Sequence, residues 1–324
     1  MSMRIRFPAV AGSFYPESST ELRLEIAQLL AAVPTGLALH PKAIIVPHAG
    51  YVYSGPIAAS IYARLAGLRS TIRRIILLGP THRVAVEGLA LPSCEAFSTP
   101  LGAVPIDLQA VAEIRDLPQI VLSDSAHAHE HSLEVQLPFL QSLFDEFTLI
   151  PLAVGHTPPE AVAEVIERLW GDDETLIVVS SDLSHYLPYE VAKSTDAQTA
   201  QQIMTFKPLL SHHQACGATP INGLLQVARA HQLHVKMIDL RNSGDTAGDT
   251  SRVVGYGAFA FFEKEHYAHC PPRTGVANHC PQRHMQAAGA RSPHHHAAPG
   301  IVTTGRHLRH ADEKPSTPRL YRQP

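Results

Sequence analysis

Three apolar runs in this chain stop at ionisable side chains. IIVP (44–47) runs into His48, IILLGPT (75–81) into His82, and LIVVSS (176–181) into Asp182 and His185. Imidazole binds metals through a neutral nitrogen and exchanges protons near neutral pH, and a carboxylate beside it orients the ring or shares the proton. A fourth group is Cys216 in ACGATPI, where Gly217 and Pro220 mark a loop before a helix expected over 221–230. A thiol close to a helix N-terminus is expected to ionise early and to bind a metal as thiolate. Two imidazoles and one thiolate suit iron, copper or zinc, and three protein ligands leave positions open for water or substrate. On this reading His48, His82 and Cys216 hold the metal, while Asp182 and His185 either orient those ligands or act as acid and base. One strand-end histidine would be an ordinary satisfied polar residue, and one cysteine a small buried hydrophobe. The recurrence at three strand ends supports a site.

The stretch SAHAHEHSLEVQLPFLQ (125–141) adds His127, His129, Glu130, His131 and Glu134 within a short span. On a helix beginning near Ser132, His131 and Glu134 share a face and form a wall of the site; otherwise they are a capped, solvated helix start. Tyr51 belongs to that wall, in an aromatic set with Phe14, Tyr15, Tyr53 and Tyr186 near the expected rim. His127 and His129 alternate as zinc ligands can, but no paired cluster lies nearby in sequence. Neither G-x-G-x-x-G, G-x-x-x-x-G-K-[ST] nor G-x-S-x-G occurs, which leaves dinucleotide, P-loop and hydrolase-elbow readings without their main support.

The elements needed to gather these groups follow from the pattern. Nearly continuous Val/Ile/Leu runs at 42–47, 73–79, 147–154, 175–181, 234–240 and 253–262 read as strands covered on both faces. Amphipathic stretches at 18–33, 55–67, 131–144, 159–170 and 190–206 read as helices between them, with Ser19 or Thr20 as a cap for the first. The alternation predicts a single three-layer α/β/α domain over residues 1–263, with a central largely parallel or mixed sheet. In such a sheet ligands bind beyond the carboxyl ends of the strands, where all three runs deliver their polar residues.

Residues 264–324 hold nine of the 21 histidines, lack periodicity and are rich in Pro, Ala, Gly and Arg, so they are expected to be a disordered tail. Their HCP repeats at 269–271 and 279–281 fit no zinc-knuckle spacing. A net charge of -3 offers no basic field for nucleic acid. No run approaches the roughly 20 apolar residues of a membrane span, and the first residues lack a secretory pattern. The expectation is a soluble, cytoplasmic protein with reduced thiols and neither nucleic-acid nor membrane partners.

Taken in order, FPAVAGSFYP (7–16), VPHAGYVYSG (46–55), LLGPTHR (77–83), HEHSLEVQLPFLQ (129–141), SSDLSHY (180–186), CGATPI (216–221) and GYGAFAF (255–261) resemble the Memo family, whose prokaryotic members are also called AmmeMemoRadiSam system protein B. The resemblance runs from about residue 6 to 263. It implies a fold like that of class III extradiol dioxygenases, with the family's His, His and Cys ligands mapping onto His48, His82 and Cys216, and its acid and histidine onto Asp182 and His185. It further implies iron or copper as cofactor with zinc possible, a small molecule or peptide in the pocket, and AMMECR-like and radical-SAM proteins as partners. Thiolate is softer and more oxidisable than the carboxylate of the dioxygenases, so their activity is not inherited with the fold. Two functions stay open: a metal-dependent, dioxygenase-like redox protein, or a non-catalytic adaptor that binds a peptide or small ligand in the same pocket.

Overall fold

Four Val/Ile/Leu-rich runs form the middle of one sheet because helices cover both of their faces. A computed structural model describes residues 3–208 and 210–264; the remainder of the expected tail, 265–324, lies outside the described residues. The strands of the main sheet are β1 (Ala43–Val46), β2 (Arg74–Pro80), β3 (Leu89–Leu91), β4 (Ile120–Leu122), β5 (Thr148–Val154), β6 (Thr175–Ser180), β7 (His185–Leu187), β8 (His234–Asn242) and β9 (Val253–Phe262). Their order is β7-β9-β1-β6-β2-β5-β3-β4, with β8 also paired to β9. β1, β6, β2 and β5 are mutually parallel. Antiparallel β9 and β3 flank them, so the sheet is mixed.

Alternate side chains point to opposite layers. Ile44, Val46, Ile75, Leu77 and Val178 pack with residues of α1 (Ser19–Ala31), α2 (Tyr51–Tyr62) and α3 (Leu137–Leu143). Ile45, Ile76, Leu78, Ile177 and Val179 pack with α4 (Pro159–Arg168), α5 (Tyr189–Met204) and α6 (Ala218–Ala230). The three-layer expectation is met. Among the described residues no helix is long and apolar enough to cross a membrane.

The differences from the sequence reading are local. Ser18 caps α1 by accepting from the Glu21 N–H at 3.4 Å, one residue before Ser19 and two before Thr20, the expected caps. α2 starts at Tyr51, four residues earlier than expected, with Pro56 inside it. The stretch expected to be helical from 131 begins with a 3-10 turn at Glu134–Gln136 and becomes α-helical at Leu137, where Pro138 sits in the first turn and needs no N–H partner. Strands β3, β4 and β7, and a separate sheet of Ile5–Arg6, Ala96–Thr99 and Gly102–Pro105, are two to four residues long, too short to show a period.

Candidate metal centre

The parallel register sets the geometry of the site. Val46 lies beside Ser180, and Leu78 beside Val179, so β1, β6 and β2 reach their carboxyl ends together. His48 and Asp182, each two residues further on, then meet: the His48 N–H donates to Asp182 Oδ1 at 2.8 Å. The His48 and His82 rings have centroids 5.2 Å apart. His131 joins them from the loop before α3, with its ring 5.4 Å from His48 and 4.5 Å from His82. One nitrogen from each of these three rings lies within 4.8 Å of the others. Cys216, arriving just before α6, places Sγ 3.3 Å from His48 Nε2.

Hydrogen bonding fixes which nitrogens are free. Ser180 Oγ donates to the Ser132 carbonyl at 2.6 Å and accepts from Gln136 Nε2 at 2.8 Å. Its one proton is therefore committed, and it acts as acceptor for His48 Nδ1 at 3.0 Å. His48 consequently carries its proton on Nδ1 and turns the Nε2 lone pair toward Cys216. His82 Nδ1 donates to Glu130 Oε1 at 2.8 Å, which leaves the Nε2 lone pair free to bind a metal. Glu130 Oε1 also accepts from the N–H groups of His131 and Ser132 at 2.9 and 2.8 Å, and Oε2 accepts from the His82 N–H at 2.5 Å. His131 Nδ1 is buried and makes no hydrogen bond, its nearest carboxylate contact being Glu130 Oε1 at 3.4 Å. The Phe14 ring packs 4.8 Å from the ring of His131.

The electrostatics favour ligands over cations. Burial, followed by the neighbouring imidazoles His48 and His82, pushes His131 down to about 3. Burial and then His82 hold His48 well below the ordinary histidine range. Burial opposes ionisation of Glu130, yet the hydrogen bond and charge of His82, with help from His131 and the Ser132 N–H, outweigh it and keep the carboxyl well below its usual range. Burial, reinforced by the Asp182 carboxylate, pushes the Cys216 thiol up to about 12. The early ionisation expected from the α6 N-terminus is thus reversed by desolvation. Burial likewise raises Asp182, against the opposing influences of His185 and the His48 N–H. Imidazoles converging beside a thiol, two of them held below the ordinary histidine range by burial, fit a transition-metal ion.

Not every residue named from the sequence gathers here. His185 stands in β7 and lines the cleft outside, as do His82 and Cys216; the cleft holds about 550 Å³. Glu134 instead closes a buried network: it pairs with Arg6, accepts from the Ala9 and Val10 N–H groups at 2.8 and 3.0 Å, and from the Tyr15 hydroxyl at 2.5 Å. The irregular start of the helix is the reason, since His131 and Glu134 do not share a regular helical face. Tyr51 packs its ring against Tyr15 and Phe139 and donates its hydroxyl to the Val135 carbonyl at 2.8 Å. His127 donates Nε2–H to the Ala90 carbonyl at 2.9 Å, and His129 is exposed.

Four features were not assigned a task from the sequence: Glu130, which aligns His82; Ser180 and Gln136, which set the His48 tautomer; and His156 on the cleft wall. The last had a signal. LIPLAV leads into Gly155 and His156 as the other runs lead into theirs, a fourth strand with an imidazole at its carboxyl end.

The family model described as Memo-like protein matches residues 6–260. A MEMO1 family protein of Aquifex aeolicus is 38% identical over 272 residues, covering 80% of this chain and 100% of its own. A MEMO1 family protein of Metallosphaera sedula is 36% identical over 282 residues, covering 79% and 99%. A crystal structure of an uncharacterized protein from Escherichia coli K12 overlaps with a TM-score of 0.42 at 14% identity, over 67% of this chain and 98% of that one.

Proposed function

The chain belongs to the Memo-like protein family, and we propose that its strand-end pocket is a metal centre serving redox chemistry. The observation that carries the proposal is the convergence of His48, His82 and His131 nitrogens within 4.8 Å, with Cys216 Sγ 3.3 Å from His48 Nε2. His48, His82 and Cys216 are the ligands, with a nitrogen of His131 within reach as a further donor. Mixed imidazole and thiolate donors favour iron or copper, and accept zinc. A bound iron or copper ion would supply one-electron chemistry, and zinc only Lewis acidity.

The chain's own groups do the rest. Glu130 holds His82 with Nε2 facing the pocket, and Ser180 holds His48 likewise. Asp182 fixes the His48 backbone through Oδ1 and is buried beside the centre, where burial raises its pKa, so it is assigned as the group that takes up and returns a proton there. His185, half-buried on the cleft wall, is assigned as the group that passes protons between Asp182 and solvent. The cleft admits a small molecule.

The test is anaerobic metal analysis of the full chain after supply of Fe(II) or Cu(I), set against the His48→Ala/His82→Ala double variant. The histidine-rich tail is present in both, so only their difference reports the centre. One extra metal per chain in the unaltered protein is expected, reduced by Cys216→Ser. Equal metal content in a folded double variant would overturn the proposal. The adaptor reading is favoured by the exposed Val52, Tyr53 and Tyr186, which follow His48 and His185 closely in the chain. It gains if peptides bind the metal-free protein undiminished.

A further inference from the structure

Two of the three clustered imidazoles are hard to reach: His48 is 1% exposed and the side chain of His131 15%, whereas His82 is an exposed residue on the cleft wall. A hydrated ion must therefore lose water before it meets His48 and His131, and the cleft lined by His82 and Cys216 opens toward them. Three more imidazoles line that cleft, His156, His212 and His213, and all three are exposed. They come from different places: His156 follows β5, while His212 and His213 precede α6 on the loop that carries Cys216. His212 is tied to that loop: its Nδ1–H donates to the Cys216 carbonyl at 3.2 Å, and its Nε2 lone pair accepts from the Thr219 hydroxyl at 3.4 Å, a long contact that a metal ion would displace. The metal-centre proposal gives none of the three a task.

We infer that His156, His212 and His213 form a transit set, which captures a transition-metal ion at the mouth of the cleft and passes it to the inner imidazoles. This rests on the metal-centre reading. Each exchange replaces a water ligand with a neutral nitrogen, so dehydration is divided into small steps. A transit site must bind well enough to collect the ion and weakly enough to release it. The outer imidazoles meet that requirement, because among the described residues only His48, His82 and His131 place three donors within 4.8 Å. The outer set is thus no closed trap. Capture also raises the ion's effective concentration near the centre, which speeds loading without changing the final complex.

The experiment follows Co(II) transfer from a chromophoric chelator to the full chain by stopped flow, with an equilibrium titration on the same samples. The His48→Ala/His82→Ala chain provides the background of the tail. The variants are His156→Asn/His213→Gln, which spares the His212 contacts, and the triple variant that adds His212→Gln. At micromolar Co(II) the expected result is loading slowed by about tenfold in the triple variant, less in the double, with unchanged equilibrium affinity. Equal loading rates in all three proteins would overturn the transit role and leave the metal centre standing. A fall in affinity to match the fall in rate would also overturn it, making these imidazoles ligands of the resting ion. Failure of the unaltered chain to exceed its double-variant background would overturn the metal-centre reading itself.

Discussion

Replacing Glu130 by Gln tests the logic of the site in one atom. The carboxylate accepts four hydrogen bonds: Oε1 from His82 Nδ1, the His131 N–H and the Ser132 N–H, and Oε2 from the His82 N–H. Glutamine has the same shape but one acceptor oxygen. If the oxygen takes the Oε1 place, the new NH₂ faces the His82 N–H donor to donor; in the other orientation it opposes three donors. The first orientation costs least, and leaves the part-buried His82 N–H and the new NH₂ facing each other without an acceptor, worth about 1–3 kcal/mol. Loss of the negative charge also weakens His82 as a ligand. Outer partners of metal-binding imidazoles typically change affinity by about 10–100-fold, equivalent to about 1.4–2.7 kcal/mol. The assay is chelator competition at equilibrium, with a thermal melt of the metal-free protein alongside. Lowered stability with affinity reduced in that range is expected. Unchanged affinity in a variant that is measurably destabilised would show that Glu130 supports the loop and not the ligand, and the assignment would fail.

Arg6→Ala leaves Glu134 buried with no cation and removes the donors to the His127 and Glu130 carbonyls. A loss of about 3–5 kcal/mol is expected in urea unfolding, and a loss under about 1 kcal/mol would refute the role of the pair. His127 is buried and held down to about 4 by desolvation, so it folds neutral. Its contribution is fully present above its unfolded value near 6.5 and is lost as pH falls toward 4, by at most about 3 kcal/mol. The pH dependence of stability should flatten across that window in His127→Asn, and an unchanged slope would sink the idea. At Gly217 an added Cβ would lie 2.6 Å from Ser181 Cβ and 3.1 Å from the Ser180 carbonyl oxygen. Gly217→Ala should cost about 1–3 kcal/mol and shift Cys216 away from His48, read as weaker metal binding; wild-type affinity in that variant would argue against Cys216 as a ligand.

Much of the site was legible because it sits where strands end. His48, His82 and Asp182 each follow a continuous apolar run, and such a run must be a covered strand whose next residues emerge at a sheet edge. The sequence by itself thus determined the layered α/β architecture, the central strands and the supply of imidazoles at their ends. Tertiary structure decided which of these groups meet. His131 entered the cluster and Glu134 turned to Arg6, although only three residues separate them, because an irregular turn precedes α3. Helical periodicity cannot report such a turn. Nor could it show that Glu130 reaches His82 across 48 residues, or that Ser180 and Gln136 together fix the proton of His48. The ionisation of Cys216 was decided last and most plainly by the fold. A helix N-terminus nearby lowers a thiol pKa, but burial beside Asp182 raises it, and how deeply a group is buried depends on contacts among segments that the chain order does not reveal.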